Sequence, residues 1–328
     1  MTAKNTEIGE LLRDVKRGDR LALSRAVTIA EKSIQSAAGL ISKMDALPAR
    51  AKRIGITGPP GVGKSTLISR LLTPALAEGF KIGLILVDPT SELTGGSLLG
   101  DRVRLGGEVQ DEKVYVRSIA SRGAKGGSSF AAAAAAVLME HWGASFIFVE
   151  SVGVGQTGGS ISDIVDFTCL VLAPGSGDSV QTLKAGLLET SEVFIVNKCD
   201  LPGADALAAL LEAEYGNAGS TSRHIVRCSA GEGSGVTDVW RLILRIYDDI
   251  EGNPGAAAER LQGKTAGLIR ELVEGAFSKA LRSDRSVIET VERLAGAASA
   301  GKTDPYSAAE IAITHIISRA ADFWKAAS

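Results

Sequence analysis

Seven short apolar segments, separated by longer connections, constrain the fold of this chain more than any other feature. They lie at residues 53–57, 81–87, 114–119, 145–150, 168–173, 193–197 and 224–228. Most are continuously apolar instead of alternating, which indicates strands that are buried on both faces. The connections are long enough for crossover helices. The pattern therefore predicts an α/β fold with a mainly parallel sheet covered by helices.

Helical patterns flank this core on both sides. The predicted regions are an N-terminal helical extension at residues 1–49, the α/β domain at residues 50–252 and a C-terminal helical region at residues 253–328. The first should break near Gly18, and the last should contain about three helices. Its apolar faces must pack either on the core or on a second copy of the chain, and the pattern alone leaves both open.

Composition excludes several functional classes. The chain has 328 residues, a net charge of −2 and no basic segment suited to nucleic acid. Its longest apolar run, residues 130–139, is about half of the ~20 residues needed to cross a bilayer. Three separated cysteines, Cys169, Cys199 and Cys228, support neither a disulfide framework nor a zinc site. Acidic residues near the start argue against a targeting signal. We expect a cytoplasmic protein with no membrane or nucleic-acid partner.

A glycine-rich segment after the first predicted strand matches the phosphate-loop motif G-x-x-x-x-G-K-[ST]. It comprises Gly58, Pro59, Pro60, Gly61, Val62, Gly63, Lys64, Ser65 and Thr66. The motif requires a strand before it and a helix after it, and the pattern predicts both. Glycines let backbone N–H groups surround phosphates, Lys64 can reach the β and γ oxygens, and the Ser65 hydroxyl can bind Mg²⁺.

Two further loops at strand ends fit the recognition of guanine. The first contains Asn197, Lys198 and Asp200, and the second contains Ser229, Ala230 and Gly231. The Asp200 carboxylate can accept both the N1–H and the N2–H₂ donors of guanine, a pair that adenine lacks. The second loop can supply a backbone N–H to the guanine carbonyl. Together they predict binding of GTP and GDP in preference to ATP.

Three carboxylates between these motifs are candidate magnesium ligands. Asp88 and Glu150 end predicted strands, and Asp101 lies in a glycine-flanked segment. The carboxyl ends of parallel strands open into the crevice beside a phosphate loop. Because Mg²⁺ prefers oxygen, Ser65 with these three acids, directly or through water, forms a plausible shell. We expect Lys64, Asp101 and Glu150 to be catalytic, by neutralising charge and ordering metal or water.

Several segments form a pattern more specific than the phosphate loop alone. They are residues 87–91, 95–104, 118–123, 149–156 and 197–200, and the most specific are Glu150-x-x-Gly153 joined to residues 95–104. In these segments, and over nearly its whole length, the chain resembles the MeaB/ArgK/MMAA GTPases. This family consists of G-protein chaperones of adenosylcobalamin-dependent acyl-CoA mutases. The resemblance implies a P-loop GTPase core of SIMIBI type and a C-terminal region that forms a homodimer.

The resemblance also implies ligands and partners. It implies GTP or GDP with Mg²⁺, an acyl-CoA mutase such as methylmalonyl-CoA mutase as client, and a cobalamin adenosyltransferase as a further candidate partner. It places Asp101 in the segment that senses the γ-phosphate, residues 150–156 in a second switch and residues 175–184 in a partner-contacting third switch. The chain departs from the family pattern at Glu92, Leu93, Thr157, Gly158, Ser179 and Val180. These departures bear on which partner is bound.

Other functional classes share the phosphate loop. A transport-associated kinase or ATPase would need ATP and a positioned acceptor hydroxyl, and Asp200 argues against it. A nickel-insertion GTPase normally has clustered cysteines and histidines, whereas His141, His224 and His315 are far apart in the chain. A non-enzymatic binding module would show no turnover even with its partner. Unless Gln156 orients the attacking water, intrinsic hydrolysis should be slow and stimulated by a partner.

Overall fold

The computed structural model describes residues 2–88, 107–120, 127–151, 161–175, 187–216 and 223–326. Within them the strands are β1 (Lys52–Thr57), β2 (Ile82–Asp88), β3 (Val114–Ala120), β4 (Phe146–Ser151), β5 (Phe167–Leu172), β6 (Val193–Val196) and β7 (His224–Arg227). The helices are α1 (Thr2–Lys16), α2 (Arg20–Ala30), α3 (Ile34–Ile41), α4 (Lys64–Ala77), α5 (Gly127–His141), α6 (Leu187–Thr190), α7 (Ala204–Tyr215), α8 (Val236–Gly252), α9 (Pro254–Ser283), α10 (Arg285–Ser299) and α11 (Pro305–Ala326).

All seven predicted strands are present, and they form one sheet in the order β3-β2-β4-β1-β5-β6-β7. Every neighbouring pair is parallel, so the predicted α/β architecture is confirmed. Helices α4, α5 and α7 lie in the connections from β1 to β2, from β3 to β4 and from β6 to β7, as crossovers between parallel strands require. Because all strands point the same way, their carboxyl ends meet at one edge of the sheet, which is where the predicted motifs lie.

The two faces of the sheet are covered by different helices. On β2, Leu84 packs into the apolar layer shared with α4 and α8, whereas Ile85 packs into the layer shared with α1, α2 and α5. This alternation follows from the two-residue period of a strand, and it explains why the strand sequences are continuously apolar. The alanine run of α5 is buried against the second layer, where small side chains allow close approach.

The helices also follow the predicted pattern. The Asp19 side chain accepts the backbone N–H groups of Leu21 and Ala22, which starts α2 just after the expected break at Gly18. A second break separates α2 from α3, where the Ser33 side chain accepts the Ser36 N–H, and the sequence pattern did not predict this break. Asp284 caps α10 and separates it from α9, and the described part of the C-terminal region contains the three expected helices, α9, α10 and α11. In the described part of the chain, no helix is both long and apolar enough to span a membrane.

Helix α9 is anchored on the turn that precedes β5. The Lys264 ammonium donates to the carbonyl oxygens of Ser162, Val165 and Asp166 at 3.0, 2.7 and 2.9 Å. One turn further on, Gly267 lies so close to Asp163 that a Cβ would stand 2.7 Å from a carboxylate oxygen. Burial, with the nearby charge of Arg260, lowers the pKa of Lys264 to about 8. The beginning of the C-terminal region therefore packs on the α/β core.

Candidate nucleotide-binding site

The phosphate loop connects the end of β1 to the start of α4. Gly58, Gly61 and Gly63 have φ values of 145°, 78° and 94°, a region that side chains with a Cβ rarely adopt. At Gly58 a Cβ would also stand 2.2 Å from the Val171 carbonyl oxygen on β5. The glycines of the motif are therefore required by backbone geometry. The loop leads directly into the N-terminus of α4, whose unpaired N–H groups and dipole favour an anion.

Lys64 lies folded across this loop. Its ammonium donates to the carbonyl oxygens of Gly58 and Pro59 at 2.9 and 3.0 Å, and the residue is 6% exposed. Burial lowers the pKa of Lys64, and the negative charge of Glu150 opposes that shift. The cation is thus held against the phosphate loop, where it can neutralise phosphate oxygens.

Ser65 and Glu150, which are 85 positions apart, meet at the sheet edge. The Ser65 Oγ donates to Glu150 Oε1 at 2.9 Å, and Glu150 is buried at the end of β4, beside β1. A hydroxyl and a carboxylate are both oxygen donors, so this pair fits the preference of Mg²⁺. Asp88 ends β2, which β4 separates from β1. The Asp88 side chain and Asp101 lie outside what the structure describes.

Asn197 joins the phosphate loop to the two base loops. Its Nδ2 donates to the Val62 carbonyl at 2.8 Å, and its Oδ1 accepts the Ala230 N–H at 2.9 Å. The side chain is 2% exposed. Lys198, which has a positive φ of 56°, donates from Nζ to the Gly61 carbonyl at 2.8 Å. The motif predicted to bind the base therefore also holds the phosphate loop in place, through hydrogen bonds to two of its carbonyl oxygens.

The Asp200 carboxylate accepts a hydrogen bond from the Ser229 hydroxyl, so the two predicted base loops contact each other. The serine hydroxyl holds one carboxylate oxygen of Asp200 and so fixes the orientation of the carboxylate, which can accept further donors. The predicted source of a backbone N–H, residues 229–231, lies beside it. Here the Ala230 N–H is already bonded to Asn197. The sites named from the sequence thus converge at one edge, except for those outside the described residues.

Arg70 is a neighbour of this site that sequence reasoning missed. It lies on α4, and its guanidinium donates to the Ala230 and Gly231 carbonyl oxygens at 3.1 and 3.2 Å. No motif includes it, and an arginine in the middle of a helix is usually solvated. One general signal existed: helical side chains lean toward the N-terminus, so Arg70 reaches back to the edge where the loops lie.

Other candidate residues have structural partners. His141 contacts the Leu12 carbonyl, and His315 contacts the Ser286 hydroxyl. The three cysteines are free thiols, with Cys169 and Cys228 buried and Cys199 partly buried. Among the described residues, three or more histidine, cysteine, aspartate or glutamate side chains do not gather into a metal-binding cluster. Gln156 and Lys184 lie outside the described residues, as do most of the three predicted switch segments.

A parallel sheet with a phosphate loop after its central strand, and an N-K-x-D loop at a nearby strand end, defines the class of P-loop GTPases. Comparison with known proteins gives the family. The model of the methylmalonyl-CoA mutase-associated GTPase MeaB matches residues 23–286. The chain belongs to this family.

Relatives of known name agree with this assignment. A Pyrococcus horikoshii protein named as a GTPase is 38% identical over 318 residues, covering 95% of this chain and 99% of that protein. The mitochondrial methylmalonic aciduria type A homolog of Caenorhabditis elegans is 30% identical, covering 95% of this chain and 84% of the homolog. The GTPase ArgK of Escherichia coli is 32% identical, with 72% and 75% covered. The chain is thus a MeaB/ArgK-type GTPase and binds guanine nucleotides.

A solved structure supports the fold independently. The crystal structure of a LAO/AO transport system kinase superposes with a TM-score of 0.70 at 22% sequence identity, covering 95% of this chain and 98% of that one. At this identity the likeness concerns the fold alone. The predicted P-loop GTPase architecture is therefore confirmed by both family and structure.

Proposed function

We propose that this chain is a Mg²⁺-dependent GTPase that gates the loading or protection of adenosylcobalamin in an acyl-CoA mutase, such as methylmalonyl-CoA mutase. The match to a mutase-associated GTPase family over residues 23–286 carries the proposal. The name of the Caenorhabditis elegans homolog, which refers to methylmalonic aciduria, supports the same client. The reaction is hydrolysis of GTP to GDP and phosphate, in the cytoplasm.

The predicted site residues have separate roles in this reaction. Lys64 binds the β and γ oxygens, because its ammonium already lies over the loop. Ser65 is the direct ligand for Mg²⁺, which when bound neutralises charge that develops on the phosphates. Glu150 holds the Ser65 hydroxyl and orders water at the metal. Asp200 accepts the guanine donors. Asp101 and Asp88 complete the proposed magnesium shell.

Nucleotide choice is the first test of the site. Wild-type protein should bind GDP at least tenfold more tightly than ADP by calorimetry, since one unpaired buried group costs ~1–3 kcal/mol. Asp200→Asn should lose much of that preference. Asp205→Asn is the matched control, because Asp205 lies on α7 and pairs with Arg227 at the surface. Equal affinities of the wild type for GDP and ADP would contradict the base assignment.

Hydrolysis is the second test. Lys64→Ala and Asp101→Ala should abolish turnover, and Glu150→Ala should bind GTP but hydrolyse it slowly, because Ser65 loses the carboxylate that holds it. Phosphate release at saturating GTP, with and without EDTA, measures both effects. A wild-type rate in Lys64→Ala, or a hydrolysis rate that EDTA does not change, would contradict the proposed roles of Lys64 and Mg²⁺.

Coupling to a mutase is the third test. The intrinsic rate should be on the order of 10⁻⁴ to 10⁻² s⁻¹, as in unassisted GTPases. Adding the cognate cobalamin-dependent mutase should raise it, and the nucleotide state should in return change mutase affinity by linkage. Lys184→Ala should spare nucleotide binding and weaken the stimulation. A purified adenosyltransferase is assayed in parallel as the second candidate partner. Failure of every acyl-CoA mutase of the organism to stimulate hydrolysis would refute the chaperone role.

A homodimer through the C-terminal helices completes the proposal. Large apolar side chains are exposed there, namely Ile269, Val273 and Phe277 on α9, Ile288 and Val291 on α10, and Ile311, Ile313 and Ile317 on α11. Exposed apolar side chains of this size in one region often mark an interaction surface. Light scattering should give twice the chain mass, and Val273→Asp should halve it. Leu210→Asp is the control, because Leu210 is similarly exposed but lies on α7. A wild-type monomer at micromolar concentration would refute the dimer.

A further inference from the structure

Arg70 makes a contact that connects two functional loops. Its Nε donates to the Ala230 carbonyl oxygen at 3.1 Å, and its Nη2 donates to the Gly231 carbonyl oxygen at 3.2 Å. The arginine belongs to α4, the helix that starts at Lys64 of the phosphate loop. The carbonyls belong to the loop after β7, which follows the phosphate loop by about 160 residues. A planar guanidinium with several donors suits two neighbouring acceptors in a way that a lysine ammonium does not.

The contact determines where nearby N–H groups point. In a planar trans peptide the C=O and the following N–H point in opposite directions, and the described backbone contains no cis peptide. Holding the Ala230 and Gly231 carbonyls toward Arg70 therefore turns the N–H groups of Gly231 and Glu232 away from α4. The Ala230 N–H is already bonded to Asn197, so these are the next donors that the loop can present.

We propose that Arg70 is a positioning residue for guanine, which acts by orienting the Gly231 and Glu232 peptides toward the 6-oxo group of the base. The proposal deepens the guanine site described above and rests on it. Two residues then share the recognition of guanine. Asp200 recognises the N1–H and 2-amino edge, whereas Arg70, acting through the loop, supports recognition of the 6-oxo group.

Four nucleotides separate these roles. GDP has both the 2-amino and the 6-oxo groups, IDP has only the 6-oxo group, 2-aminopurine riboside diphosphate has only the 2-amino group, and ADP has neither in that arrangement. Arg70→Ala should weaken the binding of GDP and of IDP by the same factor, about three- to tenfold, and leave the affinities for the other two nucleotides unchanged. Asp200→Asn should weaken GDP more than IDP. Calorimetry, with fluorescence for the 2-aminopurine compound, measures these affinities for the wild type and for both variants.

Two further variants control for folding and charge. Arg70→Lys keeps the charge and the aliphatic stem, and should restore part of the lost GDP affinity. Arg241→Ala removes another exposed arginine, whose partner is Asp238 on its own helix α8, and should change none of the affinities. Alanine is the best helix former, so Arg70→Ala should melt like the wild type.

The outcomes distinguish the inference from the function on which it rests. An unchanged GDP affinity in Arg70→Ala, or an equal loss for all four nucleotides, would overturn the role of Arg70 while the preference of the wild type for GDP stands. Equal affinities of the wild type for GDP and ADP would overturn the guanine site and the inference with it. A loss confined to GDP and IDP supports the positioning role.

Discussion

Replacing Asn197 by alanine should disturb stability and nucleotide binding together. The Asn197 amide is 2% exposed, and its two strong hydrogen bonds, to Val62 and Ala230, join the phosphate loop to the base loop. Its Oδ1 also lies 3.5 Å from the Cys228 thiol. Alanine removes both ends of this link and introduces nothing that can replace them.

The size of the effect follows from the groups left behind. The Val62 carbonyl and the Ala230 N–H would lose their partner in a buried place, and each unsatisfied group costs ~1–3 kcal/mol. Because local rearrangement admits some water, we expect a loss of about 2–5 kcal/mol in the free energy of unfolding. The GDP affinity should fall at least tenfold, because the two loops would no longer be held in register. A loss of about 1.4 kcal/mol in binding free energy is sufficient for a tenfold change.

Urea unfolding followed by circular dichroism, with calorimetric titration of GDP, measures both quantities. Asn197→Asp keeps an oxygen for the Ala230 N–H but turns a second oxygen toward the Val62 carbonyl, so it should also lose affinity. Asn253→Ala is the matched control, because Asn253 is exposed and its side chain accepts the Ala256 N–H at the start of α9. It should cost about 1 kcal/mol or less. An Asn197→Ala protein within about 0.5 kcal/mol of the wild type, with unchanged GDP affinity, would refute the reasoning.

Three other perturbations test the structure elsewhere. Gly63→Ala should lower the melting temperature more than Gly61→Ala, because both residues have positive φ but only at Gly63 would a Cβ approach Asn197, at 2.5 Å; equal shifts would contradict this. Between pH 8 and 10.5 the unfolded chain binds more protons at Lys264 than the folded chain does, so this residue makes a contribution to stability that rises with pH. The free energy of unfolding of the wild type minus that of Lys264→Met, from urea titrations at each pH, should therefore increase over this range, and a constant difference would argue against the lowered pKa. Glu140→Ala should lower the free energy of unfolding by about 3–5 kcal/mol, because it leaves Arg53 buried without the carboxylate that it pairs with at 2.8 Å. The double change Arg53→Met with Glu140→Leu removes both charges and should restore most of the urea midpoint.

The strands, the glycines and the loop motifs could be predicted from the sequence, because each is a local property. A buried parallel strand is a short apolar run, and the phosphate loop needs glycine where φ is positive, as at Gly58 and Gly63. The assignment of Asp200 to guanine, made from the chemistry of its carboxylate, stays a prediction. The break between the second and third helices was missed, because Ser33 resembles any other polar residue until its capping bond is seen.

Contacts across the fold depended on tertiary structure. The insertion of β4 between β1 and β2 brings Glu150 to Ser65, and the pairing of β6 with β7 brings Asn197 to Ala230. Arg70 reaches its carbonyl partners across about 160 residues of chain. Strand order is set by how whole layers of side chains pack and by which crossovers the helices permit, and no short window of sequence contains that information. The sequence by itself determined where the strands and the loop motifs lie, and the packing of the sheet decided which residues of those motifs touch.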